Sequence, residues 1–170
     1  MIFLGLGSNL PSKYGDRFTN INLAISYLEG YGIKVIKKSS FYETPSYPNK
    51  ENPKFINAVI LVETILPPID LMSVLIFIEE KLERKRGKKN DPRTCDIDII
   101  DYNSQILNLR YNNLDLTVPH KELTLRNFIL FPLQEISPTW KHPKTKEIIS
   151  VLLQKLNDED KNSILKVKKP

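Results

Sequence analysis

Residues 55–85 read "FINAVILVETILPPIDLMSVLIFIEEKLERK", and the hydrophobic period changes once inside them. Phe55 to Ile65 is rich in β-branched side chains, as expected of a strand. From Pro68, which suits a first helical turn, Leu71, Leu75, Ile78 and Leu82 recur at i, i+4, i+7 and i+11, one face of a helix. That helix is expected over 67–85, with Glu79 at the edge of its apolar stripe. A basic loop follows. "CDIDIIDY" (95–102) then alternates with a period of two, a further strand.

Upstream, "IFLGLG" (2–7) reads as a buried-type strand and "GSN" as a turn. Phe18, Ile21, Ala24, Ile25 and Leu28 mark a helix over 16–29 that stops at Gly30 and Gly32. "IKVIKKSSFYE" (33–43) is expected to be one strand, and the proline-rich "TPSYPNKENP" (44–53) a loop. The order strand, helix, strand, strand, helix, strand is the split βαβ pattern. It predicts a ferredoxin-like α+β sandwich, an antiparallel sheet with helices packed on one face. "LTLRNFILFPLQEI" (123–136) and "EIISVLLQKLN" (147–157) add a C-terminal helical extension. One domain is expected over 1–157, and a loose tail over 158–170.

Hydrophobic residues make up 41% of the 170 and charged residues 26%, enough apolar surface for a normal core and too much for a disordered chain. No apolar run approaches the ~18 residues of a membrane span. The N-terminus lacks the basic region and cleavage site of a signal peptide. The single Cys95 excludes an internal disulfide and fits a reducing cytoplasm. A monomer is expected. The net charge is +5. Residues 81–93 alone hold Lys81, Arg84, Lys85, Arg86, Lys88, Lys89 and Arg93 against Glu83 and Asp91, an excess as large as that of the whole chain. Such concentration favours a local anion site over a generally basic nucleic-acid surface.

Strand alternation puts Cys95, Ile97 and Ile99 in the core and Asp96 and Asp98 on the other face, their Cβ atoms roughly 7 Å apart. Two carboxylates that close repel unless a cation stands between them. Hard oxygens at this spacing suit Mg²⁺, which takes one or two carboxylates plus phosphate oxygens. The bland reading is a solvent-facing strand with each acid beside a lysine. The basic run weighs against it: a metal and arginines around a polyphosphate are the recurring apparatus of phosphoryl transfer, and arginine grips phosphate oxygens in pairs. His120 follows Pro119, which fixes the backbone there; it is either a structural histidine or a phosphate donor. Neither a P-loop nor a dinucleotide fingerprint occurs.

Several motifs come in a fixed order: "GLGSNL" (5–10), "SSFYETP" (39–45), "FINAV" (55–59), "PRTCDIDII" (92–100), "TVPH" (117–120) and "RNFILFPLQEI" (126–136). Together they resemble the 6-hydroxymethyl-7,8-dihydropterin pyrophosphokinase family over about residues 1–155. The resemblance implies a ferredoxin-like fold and transfer of pyrophosphate from ATP to the pterin's hydroxymethyl oxygen, with release of AMP, in folate biosynthesis. It implies two Mg²⁺ ions bound with ATP, held by Asp96 and Asp98. Asp98 would also assist loss of the hydroxyl proton. Arg84, Arg86 and Arg93 would clamp the phosphates and neutralise charge. Glu79, Arg86, Arg93, Ile99, His120, Lys121 and Arg126 would meet ATP. The pterin would stack between Phe55 and Phe128, pair with Asn57, and meet the backbone at Thr44 and Pro45. Phe55 and Asn57 are two apart on a strand and so share a face, as one pocket requires.

Three positions depart from the family's pattern: Phe55 stands where tyrosine is frequent, Asn90-Asp91 where Trp-Gly is, and Lys121 where tyrosine is. An RNA-binding ferredoxin-like module would need an aromatic RNP block that no strand carries. A D-x-D nucleotidyl- or glycosyltransferase would need a parallel sheet. No nucleic-acid and no membrane partner is expected.

Overall fold

The computed structural model describes residues 1–88 and 90–169. Strand β1 (Ile2–Ser8) lies between β4 (Phe55–Glu63) and β5 (Asp96–Tyr102) and runs antiparallel to both. β4 and β5 therefore run the same way, joined by the crossover helix α2 (Pro68–Lys81). Helix α1 (Arg17–Gly30) makes the other crossover, from β1 to β2 (Lys34–Lys38) on the far side of β4. This is the ferredoxin-like split βαβ. Asp16 caps α1, its carboxylate accepting from Thr19 N at 2.7 Å.

The expected strand 33–43 is two strands. β2 pairs with the Ile60–Glu63 end of β4 and β3 (Phe41–Thr44) with its Phe55–Asn57 end. Ser39 bridges the jog: its N–H donates to Val59 O at 2.9 Å and its Oγ accepts from Val59 N at 3.0 Å. A hydroxyl thus replaces one ladder bond, and hydrophobic pattern carries no sign of that.

Two further expectations change. The sheet is covered on both faces. Leu4, Leu6, Ile56, Ala58, Ile97 and Ile99 pack on α1 and α2, while Phe3, Val59 and Ile100 meet Ile129, Leu130 and Leu133 of α3 (Asn127–Ile136) and Leu152 of α4 (Ile149–Lys155). Every residue of β1 is buried, as befits a strand buried on two sides. Gly5 makes the second layer possible: a Cβ there would lie 2.7 Å from Ile129 Cδ1. The C-terminal segment is not a loose tail. Residues Asp158–Asn162 form α5, and β8 (Leu165–Val167) extends the sheet by pairing with Phe41–Glu43 of β3. A polar, lysine-rich composition suggested disorder, but edge pairing needs only backbone.

Glu135 ties these layers together. It accepts from Tyr42 Oη at 2.7 Å, from Ser40 Oγ at 2.8 Å and N at 3.2 Å, and from Lys166 Nζ at 3.3 Å. Partial burial pushes its carboxyl up, but these donors outweigh that and hold it below the ordinary 4.5. The bonded form is the charged one. Its stabilisation is therefore present at neutral pH and lost as the pH falls through the depressed folded value. Glu135→Gln should lower Tm by about 2–4 °C at pH 7. Thermal scans from pH 7 downward should show that gap narrowing in acid; a constant gap would contradict it.

Candidate active site

Across the end of the sheet, the register aligns Tyr42, Asn57, Gly7 and Asp96 in one row over four strands. Asp98 stands opposite Gly5 in the next row of that face. Phe55, Asn57, Asp96 and Asp98 alternate with α1- and α2-facing residues and so face the α3 side. Asn57 and Asp96 are two strands apart, roughly 10 Å. Gly7 lies between them, where a Cβ would stand 3.4 Å from Asn57 Oδ1 and 3.5 Å from the Phe55 ring. With no side chain there, the floor between the two stays open.

On the β4 side, Asn57 Nδ2 donates to Thr44 Oγ1 at 3.0 Å and to Tyr42 O at 3.3 Å, which fixes the amide's orientation. Thr44 pairs in register with Phe55, and Pro45 opens the following loop. The Arg93 guanidinium lies 5.2 Å over the Phe55 ring and that of Arg126 lies 5.6 Å over Phe128. Both ring faces thus already take a flat, delocalised group.

On the β5 side, arginines and carboxylates interleave. Arg84 Nη1 bridges Glu79 Oε1 and Asp96 Oδ1, the latter at 2.6 Å. Arg86 Nη2 reaches Glu79 Oε2 at 3.0 Å. Arg93 Nε lies 2.9 Å from Asp96 Oδ2, an ion pair without hydrogen-bond alignment. Arg126 Nη1 is 3.3 Å from Asp98 Oδ2, and its Nη2 is 3.2 Å from His120 Nε2. Glu79 is buried, and its Oε1 also accepts from Ile97 N at 2.8 Å.

Helix α2 ends at Lys81, four residues earlier than expected, and its ending places Arg84. Glu83 takes a left-handed φ of 66°, Arg84 N bonds to Glu79 O at 3.0 Å and Glu83 N to Glu80 O at 2.9 Å. This is a Schellman ending with glutamate where glycine is usual, and it folds Arg84 back onto the Glu79 carboxylate.

Burial, and then the Asp96 charge, push Asp98 up to about 6. Since 44% of its side chain is still exposed, the neighbouring charge is the more durable cause. Burial pushes Glu79 up to about 7, against the pull of Arg84. Asp96 pairs with two arginines and Asp98 with one guanidinium at 3.3 Å, so Asp98 is the less fully paired of these two hard oxygen donors. Among the described residues no group of three or more His, Cys, Asp or Glu converges as a metal cage. The donor set fits a divalent cation that takes its remaining ligands from water and phosphate.

A cleft of about 400 Å³ opens along the free edge of β5. Glu79, Arg84, Arg86, Asp96, Asp98, Ile99, His120 and Lys121 all line it. Lys89, expected in the anion site, lies outside the described residues. Asn90 takes φ 68°, and Asp91 Oδ2 accepts from Lys88 N at 2.7 Å, so a turn stands at the Asn90-Asp91 departure.

The sequence profile of the 7,8-dihydro-6-hydroxymethylpterin-pyrophosphokinase (HPPK) family matches residues 3–138. The chain belongs to the HPPK family. It is 35% identical over 142 residues to a 2-amino-4-hydroxy-6-hydroxymethyldihydropteridine pyrophosphokinase of Aquifex aeolicus, covering 84% of this chain and 83% of the relative. It is 37% identical over 164 residues to the folic acid synthesis protein fol1 of Pneumocystis carinii, covering 96% of this chain and 21% of the relative. The chain thus spans about a fifth of the length of the fungal relatives it matches. Among solved structures, the HPPK-DHPS protein of Plasmodium falciparum with pterin and p-hydroxybenzoate superposes with a TM-score of 0.78 at 17% identity, covering 99% of this chain and 47% of the other.

Two parts of the cleft and its surroundings escaped sequence reading. One wall of the cleft is Asp115, Leu116 and Thr117 of β7 (Leu114–Val118), which pairs with β6 (Leu107–Tyr111). The signal was present: "LNLRYNNLDLTV" alternates around an Asn-Asn turn, and Asn112 has φ 51°. The other is Asn9. Its Oδ1 accepts from Arg93 N at 2.6 Å and its Nδ2 donates to Ser46 Oγ and Pro53 O. It joins the loop after Thr44 to the backbone of Arg93. Asn9 lies within "GLGSNL", but a motif does not say which partners its side chain takes.

Proposed function

We propose that the protein transfers diphosphate from ATP to the hydroxymethyl group of 6-hydroxymethyl-7,8-dihydropterin, releasing AMP, as a step in folate biosynthesis. Family membership supports the reaction. The observation that carries it is the Asn57–Gly7–Asp96 row. An amide suited to a heterocycle edge and a carboxylate suited to a phosphate-bound cation stand roughly 10 Å apart over a side-chain-free floor.

The residues divide the work. The pterin lies between Phe55 and Phe128, its edge paired with Asn57 and the backbone at Thr44 and Pro45. ATP occupies the cleft along β5, with Ile99 against the base and His120, Lys121 and Arg126 on polar groups. Arg84 and Arg93 exchange Asp96 for phosphate oxygens, while Glu79 keeps its contacts and orients Arg84 and Arg86 towards the phosphates. The hydroxymethyl oxygen attacks the β-phosphorus, the bond from that phosphorus to the α–β bridging oxygen breaks, and AMP leaves. Asp98, the carboxylate in the row next to the Asn57–Gly7–Asp96 floor, takes the hydroxyl proton. Mg²⁺ ions held by Asp96 and Asp98 supply charge neutralisation and orientation of the phosphates when bound. One chain supplies every side of the site, so a monomer suffices. No helix among the described residues is long and apolar enough to cross a membrane. The unpaired Cys95 supports a cytoplasmic setting.

With ATP and Mg²⁺, AMP should appear only when the hydroxymethyl-dihydropterin is added, and chelation should stop it. ADP in place of AMP would overturn the assignment. Phe128→Ala should weaken pterin binding by about tenfold or more, from lost stacking and burial. Equal affinity in a titration would remove stacking from the site.

A further inference from the structure

The first turn of α3 carries two groups of the site, Arg126 at its N-cap and Phe128 one residue inside it. Ahead of it, Arg126 N donates to Leu123 O at 3.2 Å. Arg126 makes no side-chain cap hydrogen bond and sits in an extended conformation. Helix ends lacking a cap fray, because their first N–H groups have no fixed partner. Within the turn, Arg126 O accepts from Ile129 N and Leu130 N at 3.0 Å.

Between Arg126 and Phe128 stands Asn127, and it points away from the cleft. Its side chain is only 7% exposed. Its Nδ2 donates to Asp160 O at 2.6 Å and to Ser163 Oγ at 3.1 Å. Both acceptors belong to the C-terminal segment. That segment is itself fixed at both ends. Asn157 caps α5 through Asp160 N at 2.8 Å, and β8 is laddered to β3, the strand that carries Thr44. Glu159 on α5 also pairs with Lys50 in the loop after Thr44, a surface contact of little energy on its own. The segment 157–167 therefore touches the α3 turn, β3 and the loop after Thr44, three elements that line the pterin side.

We propose that Asn127 is a positioning residue and the C-terminal segment a strap, which together set the angle at which Arg126 and Phe128 are presented. The inference rests on the proposed reaction for its kinetic consequence. Its structural consequence is independent of any reaction. Successive helical residues differ by about 100° in direction. A rotation that releases Asn127 therefore swings Phe128 off the pterin face and Arg126 off Asp98 together.

Asn127→Ala in the full chain tests this. Amide hydrogen exchange at Ile129 and Leu130 should quicken, while exchange in β1 and β4 stays as in the parent protein. The KM for the pterin should rise by about three- to tenfold, the loss of one or two net hydrogen bonds, and the KM for ATP should rise with it, because Arg126 moves together with Phe128. A purely structural role would lower Tm yet leave pterin KM and first-turn exchange unaltered, and that result overturns the proposal. Should Asn127→Ala fail to fold, Ser163→Ala removes one acceptor only. It should shift exchange and pterin KM in the same direction by a smaller factor; no shift in either also overturns it. If the parent protein makes no AMP, the proposed reaction fails, while the exchange measurement still decides whether the strap holds α3.

Discussion

Asp98→Asn should cut AMP release on the order of a thousandfold, the several kcal/mol expected when a metal-holding carboxylate loses its charge. The fold should not suffer. Asparagine keeps the shape and a contact for Arg126, and it removes a charge that burial and then Asp96 oppose. Because the folded proton affinity lies above the ordinary 3.8, stability falls as the pH rises from about 3.8, and the loss is complete above about 6. Tm at pH 8 should thus rise or hold while activity collapses, the pattern of a group kept for chemistry at some cost in stability. Activity within tenfold of the parent, measured as AMP per unit time at saturating substrates, would remove Asp98 from the metal and base roles. Asp96→Asn should be as damaging to activity. It should also lower Tm, because Arg84 and Arg93 lose a shared partner.

Arg93→Ala should slow the chemical step by about a hundredfold, the usual effect of removing one preorganised charge donor from a transition state. Pterin affinity should hold or tighten, since the guanidinium that lies 5.2 Å over Phe55 is removed and the ring face is uncovered. The backbone should stay in place. Arg93 N and O are tied to Asn9 and Leu10 rather than to the side chain's partners. Single-turnover kinetics beside an equilibrium pterin titration separate the two effects. An unchanged single-turnover rate, or a loss confined to pterin affinity, would contradict this role.

The split βαβ was legible because the 55–102 stretch passes from a β-branched run to a helical period of 3.6 and then to an alternation of two. The paired acids were legible because strand alternation forces i and i+2 to one face. What escaped has a common cause: local geometry set by backbone partners rather than by side-chain pattern. Ser39 breaks a strand through a hydroxyl that imitates a ladder bond. Glu83 ends α2 in a conformation that sequence reading reserves for glycine. β8 adds to the sheet through backbone pairing of three residues from a polar segment. The second helical layer has a cue in β1, which is apolar at nearly every position, because a strand with no polar face needs cover on both sides. The β6–β7 hairpin also had its cue in an Asn-Asn turn between alternating runs, and it supplies a wall of the cleft.

The fate of each phosphorus gives the sharpest test. ATP labelled at the γ-phosphorus, incubated with the protein, Mg²⁺ and 6-hydroxymethyl-7,8-dihydropterin, should yield a pterin product that carries the label in a diphosphate. ATP labelled at the α-phosphorus should leave its label in AMP. A singly phosphorylated pterin accompanied by ADP, or γ-label recovered only as free phosphate, would contradict the transfer of an intact diphosphate on which the proposed function depends.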